Sequence, residues 1–140
     1  MASDSDRPGS KRDPAIRVMM MPRDTNAHGT IFGGVILSYL DQAGAIEARK
    51  LGCSRIVTVA MDRVEFKHPV YVGDLLSFYA EVIHMGTSSA RLRVTVEAER
   101  FEPPCQTEHV TSAEMVYVAI GEDRRPIPFA VCRTREQSAK

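Results

Sequence analysis

Apolar positions follow two different periods along the chain. From Thr30 to about Leu51, residues Ile31, Val35, Ile36, Tyr39, Leu40, Ala43 and Ile46 recur at helical spacing and Gly52 stops the run, which predicts one long helix. Beyond it the period shortens to two. Ala90, Leu92, Val94, Val96 and Ala98 alternate with Arg91, Arg93, Thr95, Glu97 and Glu99, the pattern of an antiparallel strand with one wet face. Ile56–Met61, Leu75–Met85 and Thr111–Ile120 also read as strands, and Ala15–Met20 as a short first strand ahead of Pro22. Turn formers separate them at Gly73-Asp74, Gly86 to Ser89 and Pro103-Pro104, while Pro22 to Gly29 has no apolar period and reads as a loop. The order β-α-β-β-β-β predicts an α+β fold, an antiparallel sheet covered on one face by a single helix.

Polar runs bound this pattern. Residues 1–14 and 131–140 are too rich in Ser, Asp, Lys and Arg to bury much surface, so a folded domain is expected over 15–130 between an N-terminal disordered tail and a C-terminal tail. A chain of 140 residues suits one domain with its own core. Eighteen Lys and Arg balance eighteen Asp and Glu, which argues against a nucleic-acid-wrapping role. The cysteines, Cys53, Cys105 and Cys132, are odd in number and form no C-x-x-C, so reduced thiols are expected rather than a disulfide scaffold or a structural zinc site. The N-terminus shows no apolar leader, and Gly29 to Ile46 is too polar for a membrane span. A soluble, cytoplasmic domain without membrane or nucleic-acid partners is the expectation.

The helix carries the most informative side chain. Asp41 is the only charged residue between Gly29 and Ile46, and it falls in mid-helix beside Gly34, Leu37, Ser38, Gly44, Ala45 and Ala48. Phe32, Ile36, Tyr39, Ala43 and Ile46 lie opposite and are expected to face the sheet. Aspartate is a poor mid-helix residue, so it needs either a neighbouring polar partner or a chemical role as a base, and the spacing alone favours neither. Gly29, Gly33 and Gly34 surround the first helical turn, where free N–H groups could hold a substrate oxygen; equally, they could form a tight turn feeding a buried helix. Asn26 and His28 precede that turn, as a possible amide donor and a possible base, or as loop residues bonding their own backbone. His68, His84 and His109 show no H-x-x-x-H spacing, and no metal motif is present.

The segment M-P-R-D-T-N-A-H-G-T-I-F-G-G-V-I-L-S-Y-L-D-Q-A-G, Met21 to Gly44, resembles the opening of hotdog-fold acyl-CoA thioesterases, the single-hotdog bacterial type related to brain acyl-CoA hydrolase. V-E-F-K-H-P-V-Y-V-G-D, Val64 to Asp74, and H-M-G-T-S-S, His84 to Ser89, agree with it, and the likeness runs from about Arg17 to Pro128. It implies a curved antiparallel sheet wrapped around one long central helix. It also implies hydrolysis of acyl-CoA to free acid and CoA, as part of fatty-acid metabolism. Asp41 and Asn26 match the family's catalytic pair. Asp41 would be base or nucleophile, and Asn26 with N–H groups near Gly33 and Gly34 would polarise the carbonyl, His28 lining the same place. His28 and Thr30 depart from the family pattern. The turn at Gly86, Thr87 and Ser88 and the basic residues Arg63, Lys67 and His68 are the expected CoA contacts. The expected partner besides acyl-CoA is a second copy of the chain, the catalytic residues meeting across a homodimer that assembles further as a trimer of dimers. No metal or redox cofactor is called for, because a thioester is already activated and coenzyme A enters as part of the substrate. The rival reading is a non-catalytic acyl-CoA-binding protein on the same fold. A hotdog dehydratase would need a base histidine in its pocket, and this helix has none.

Overall fold

The computed structural model describes residues 12–130. They form strand β1 (Ile16–Met19), a short 3-10 turn (Pro22–Asp24), helix α1 (Gly33–Arg49) and strands β2 (Ile56–Phe66), β3 (Leu75–Met85), β4 (Ser89–Glu99) and β5 (Thr107–Ala119). All strand pairs are antiparallel, in the order β1-β3-β4-β5-β2, so β2 crosses the sheet to pair with β5 and becomes an edge. This is the α+β architecture expected from the patterning, with the helix packed on one face of a five-stranded sheet.

The alternation in β4 works as read: Ala90, Leu92, Val94, Val96 and Ala98 are all fully buried beneath α1. The core continues into β3 with Leu76 and Phe78, and into β5 with Ala113, Met115, Tyr117 and Ala119. On the helix, Ile36, Leu40, Ala43, Gly44 and Ala48 are buried, while Phe32 and Ile46 are exposed. The buried stripe is thus rotated toward the small residues relative to the expectation. Gly44 and Ala48 let the helix lie close to the sheet, which leaves the bulkier Phe32 and Ile46 outside. Asp41 falls at the border of that stripe and is half-buried.

Glu97 departs from the wet-face expectation. A register shift between Val96 and Glu97 accompanies its burial, and Arg12 and His109 face its carboxylate at 2.9 and 3.3 Å. Arg12 also stacks over Tyr79, so this end of the expected N-terminal tail packs on the sheet; residues 1–11 and 131–140 of the two tails lie outside the described part. Cys53 is buried and disulfide-bonded, against the expectation of reduced thiols, whereas Cys105 is exposed and free. No helix among the described residues is long and apolar enough to cross a membrane.

Candidate active site

Asp41 is held by two hydroxyls. Thr58 of β2 donates to its Oδ1 at 2.7 Å. The Tyr117 hydroxyl of β5 lies 2.7 Å from the Asp41 backbone carbonyl and 3.2 Å from the same Oδ1. Thr58 and Tyr117 are register partners, so one β2–β5 rung presents both groups to the helix. Among the described residues no hydrogen bond engages Oδ2 and no ion pair involves Asp41. Burial, and after it the nearby Asp41 charge and hydrogen bond, push the Tyr117 phenol far above its usual range, so it remains a neutral donor. The polar partner that a mid-helix aspartate calls for is thus present, and Oδ2 has no hydrogen bond among the described residues. Thr58 and Tyr117 were not identified from sequence. Each looks like an ordinary strand residue, and only the crossing of β2 beside β5 brings them together.

The helix start forms a second centre. Asn26 Oδ1 accepts the N–H groups of His28 and Thr30 at 2.8 and 3.1 Å, and its Nδ2 donates to Thr30 Oγ1 at 2.7 Å. Asn26 thus does what a loop asparagine does, organising its own turn, and Thr30 is its chief partner. An amide nitrogen carries two hydrogens, so Asn26 retains one N–H for another acceptor. The turn ends in Gly29, whose φ of +84° suits glycine. Phe32 begins α1 without a side-chain cap, and the N–H groups of Gly33 and Gly34 carry no hydrogen bond among the described residues. Space above Gly34 is open, whereas a Cβ on Gly33 would lie 3.1 Å from the Phe66 ring. Gly33 therefore serves packing, and Gly34 offers the clearer approach to the main chain. A cavity of about 290 Å³ opens here, lined by Thr30, Gly33, Ile36, Phe66, Lys67 and His68 among others. The exposed His28 contacts Asn26 through its backbone alone.

The two centres stand apart within one chain. Eight residues of helix separate Gly33 from Asp41, roughly 12 Å at 1.5 Å per residue, too far for one carbonyl carbon to meet both. The expected CoA contacts are divided as well. Ser89 pairs with Val118 at one end of β4, while Val96 pairs with Thr111 near the Phe66 end of β2, roughly 23 Å away along the strand. The Gly86–Ser88 turn therefore lies at the opposite end of the sheet from Lys67 and His68. Thr87 and Ser88 accept the N–H groups of Phe129 and Ala119 through their carbonyl oxygens, and no side-chain hydrogen bond engages either hydroxyl among the described residues. Arg63 sits at a bulge with φ of +52° and pairs with Glu114 at 3.0 Å, on the sheet face turned away from α1. The Lys67 ammonium lies 3.8 Å from Glu65, its one ion pair among the described residues. A single chain thus unites Lys67 and His68 with the helix start, and leaves Arg63 and the turn elsewhere.

Residues 28–102 match the thioesterase superfamily. Acyl-CoA thioester hydrolase YciA of Salmonella typhimurium is 39% identical over 118 residues, covering 83% of this chain and 89% of that protein. A hexameric hotdog fold thioesterase of Campylobacter jejuni is 41% identical with a TM-score of 0.80, covering 91% of this chain and 97% of the other. A hexameric broad specificity acyl-coenzyme A thioesterase superposes with a TM-score of 0.80 at 33% identity, covering 99% and 97% of the two chains. The expected hotdog architecture is what these structures share with it. The matched motif region, the helix-on-sheet fold and the extent of these likenesses together establish that the chain belongs to the thioesterase superfamily.

Proposed function

We propose that this protein hydrolyses acyl-CoA thioesters to free acid and coenzyme A. The observation that carries the reading is the half-buried Asp41, its Oδ1 held by two hydroxyls and its Oδ2 unengaged among the described residues. In the base route, Oδ2 takes a proton from water as the oxygen attacks the thioester carbonyl. In the nucleophilic route, Oδ2 attacks first and a mixed anhydride is then hydrolysed. Either way a tetrahedral oxyanion forms and collapses with loss of the CoA thiolate. The free N–H of Gly34, with that of Gly33 and the spare amide hydrogen of Asn26, is suited to hold that oxyanion. The thioester is activated already, so this route calls for no metal or redox cofactor.

The roughly 12 Å between the helix start and Asp41 supports a site completed by a second copy of the chain, with Asn26 from one protomer opposite Asp41 of its partner. Edge strand β2 is the surface suited to that pairing. It spans eleven residues, and Val57 and Val59 are 39% and 56% exposed on an edge that no described strand covers. The hexameric state of the Campylobacter thioesterase supports a trimer of such dimers. Pairing would also give the Gly86–Ser88 turn and the basic residues Arg63, Lys67 and His68 a way to share one CoA head group. The use of CoA thioesters fits a part in fatty-acid metabolism and a cytoplasmic setting, although the disulfide at Cys53 speaks against a reducing compartment. The non-catalytic alternative gains support only from the involvement of Asn26 in its own loop, and the unengaged Oδ2 speaks for turnover. The test is free-thiol release from a panel of acyl-CoAs of graded chain length. Multiple turnovers on at least one member are expected, and tight binding of every member without thiol release would replace hydrolase by binding protein.

A further inference from the structure

We infer that Tyr117 is a positioning residue for the reaction, holding Asp41 in place through both its main chain and its carboxylate; this rests on the hydrolase reading above. Tyr117 is fully buried, and its ring is part of the core. A core position on β5 needs no hydroxyl, and a buried one is costly unless it is bonded. Here the single O–H points at two acceptors of one residue, the Asp41 carbonyl oxygen at 2.7 Å and Oδ1 at 3.2 Å. Room for it is made by Gly44, three residues along the same helix: a Cβ there would lie 2.1 Å from the Tyr117 oxygen. The glycine and the tyrosine thus form a matched pair, a gap in the helix wall and the hydroxyl that fills it.

The geometry gives this contact a chemical consequence. Thr58 and Tyr117 approach the same oxygen from adjacent strands, so the carboxylate is fixed with Oδ2 as the oxygen left for the reacting proton or carbon. Thr58 alone would leave the carboxylate hinged on one contact from an exposed residue of an edge strand. Tyr117, anchored in the core and tied to the backbone of Asp41, removes that freedom. A misaimed base loses rate without losing substrate affinity, because binding of the CoA and acyl parts does not pass through the carboxylate.

The experiment compares Tyr117→Phe with the wild-type chain, a change that keeps the ring and deletes the oxygen. With an acyl-CoA that the wild type turns over, kcat should fall about tenfold or more at unchanged KM, consistent with one hydrogen bond to a partly charged acceptor. A merely structural hydroxyl would lower the melting temperature and leave kcat of the folded enzyme alone. Unchanged kcat in a folded Tyr117→Phe enzyme overturns the inference while leaving the hydrolase reading intact. A wild type that turns over no acyl-CoA defeats that reading and this inference with it. As a second arm, Tyr117→Phe should cost little further rate in an Asp41→Asn background, and a full additional tenfold loss there would also overturn the inference.

Discussion

Arg100, at the end of β4, places a guanidinium nitrogen against Oδ2 of Asp74, a carboxylate whose side chain is only 3% exposed. The same Arg100 donates to the Pro69 carbonyl oxygen at 3.0 Å and to Glu108 Oε2 at 2.7 Å, and Asp74 Oδ2 also accepts the Tyr71 N–H at 2.9 Å. These bonds tie the sheet to the segment bearing Lys67, His68 and Val70, whose residues wall the cavity at the helix start. Ile31 is joined to the same segment through the Val70 carbonyl oxygen at 2.8 Å. Replacing Arg100 with alanine leaves the Asp74 carboxylate buried without its cation. Such a break costs about 3–5 kcal/mol. Urea unfolding should show that loss, and the double variant Arg100→Ala, Asp74→Asn should recover part of it.

Glu108 supplies a dependence on acidity. Its hydrogen bond from Arg100, the largest cause, holds its carboxyl below the ordinary value of 4.5. A carboxyl lowered in the folded state contributes stability above its unfolded pKa, and that contribution is lost as the pH falls through the lower folded value. The melting temperature should therefore decline on acidification below that ordinary value, and Glu108→Gln should make the decline shallower. Parallel acid profiles for the two proteins would show that the pair adds nothing.

Gly44 is needed for space. A Cβ there would meet the Tyr117 oxygen at 2.1 Å and Cζ at 2.8 Å, so either the helix or a core ring must move. Overpacking of this kind costs about 1–3 kcal/mol, against the small gain alanine normally brings to a helix interior. Gly44→Ala should lower the melting temperature, whereas Gly34→Ala, with open space around it, should not.

Much of this arrangement was legible in the residues, and the reasons for the rest are specific. The long helix and the alternating β4 announce themselves because burial on one face imposes a period. Strand ends were harder. β2 continues past Met61 to Phe66 through Asp62, Arg63 and Glu65, polar residues that an edge strand tolerates and a propensity argument discards. The helix face was misjudged at Phe32 and Ile46, since size suggested burial where close approach of helix to sheet favoured Gly44 and Ala48. Asp41 stood out as a lone charge, but its partners Thr58 and Tyr117 could not, because strand order is a non-local property that no spacing records. The same holds for the separation of the Gly86–Ser88 turn from Lys67, which only the register reveals.

The turn itself is testable. The Thr87 and Ser88 hydroxyls engage no side-chain hydrogen bond among the described residues, and their backbone carbonyls are already committed to Phe129 and Ala119. Alanine at both positions should leave the fold intact and raise KM for acyl-CoA with little change in kcat, as expected for a head-group contact equally strong before and during reaction. An unchanged KM would place the nucleotide away from this turn.

The proposed pairing of Asp41 from one protomer with Asn26 from another is open to a mixing experiment. Asp41→Asn and Asn26→Ala should each lose about 10²-fold or more in thiol release while remaining folded. Once mixed and allowed to exchange subunits, verified by pull-down of a tagged chain, hybrid dimers hold one site with both native residues, and part of the activity should return. Exchange without any recovery would contradict the account and return both residues to a single chain.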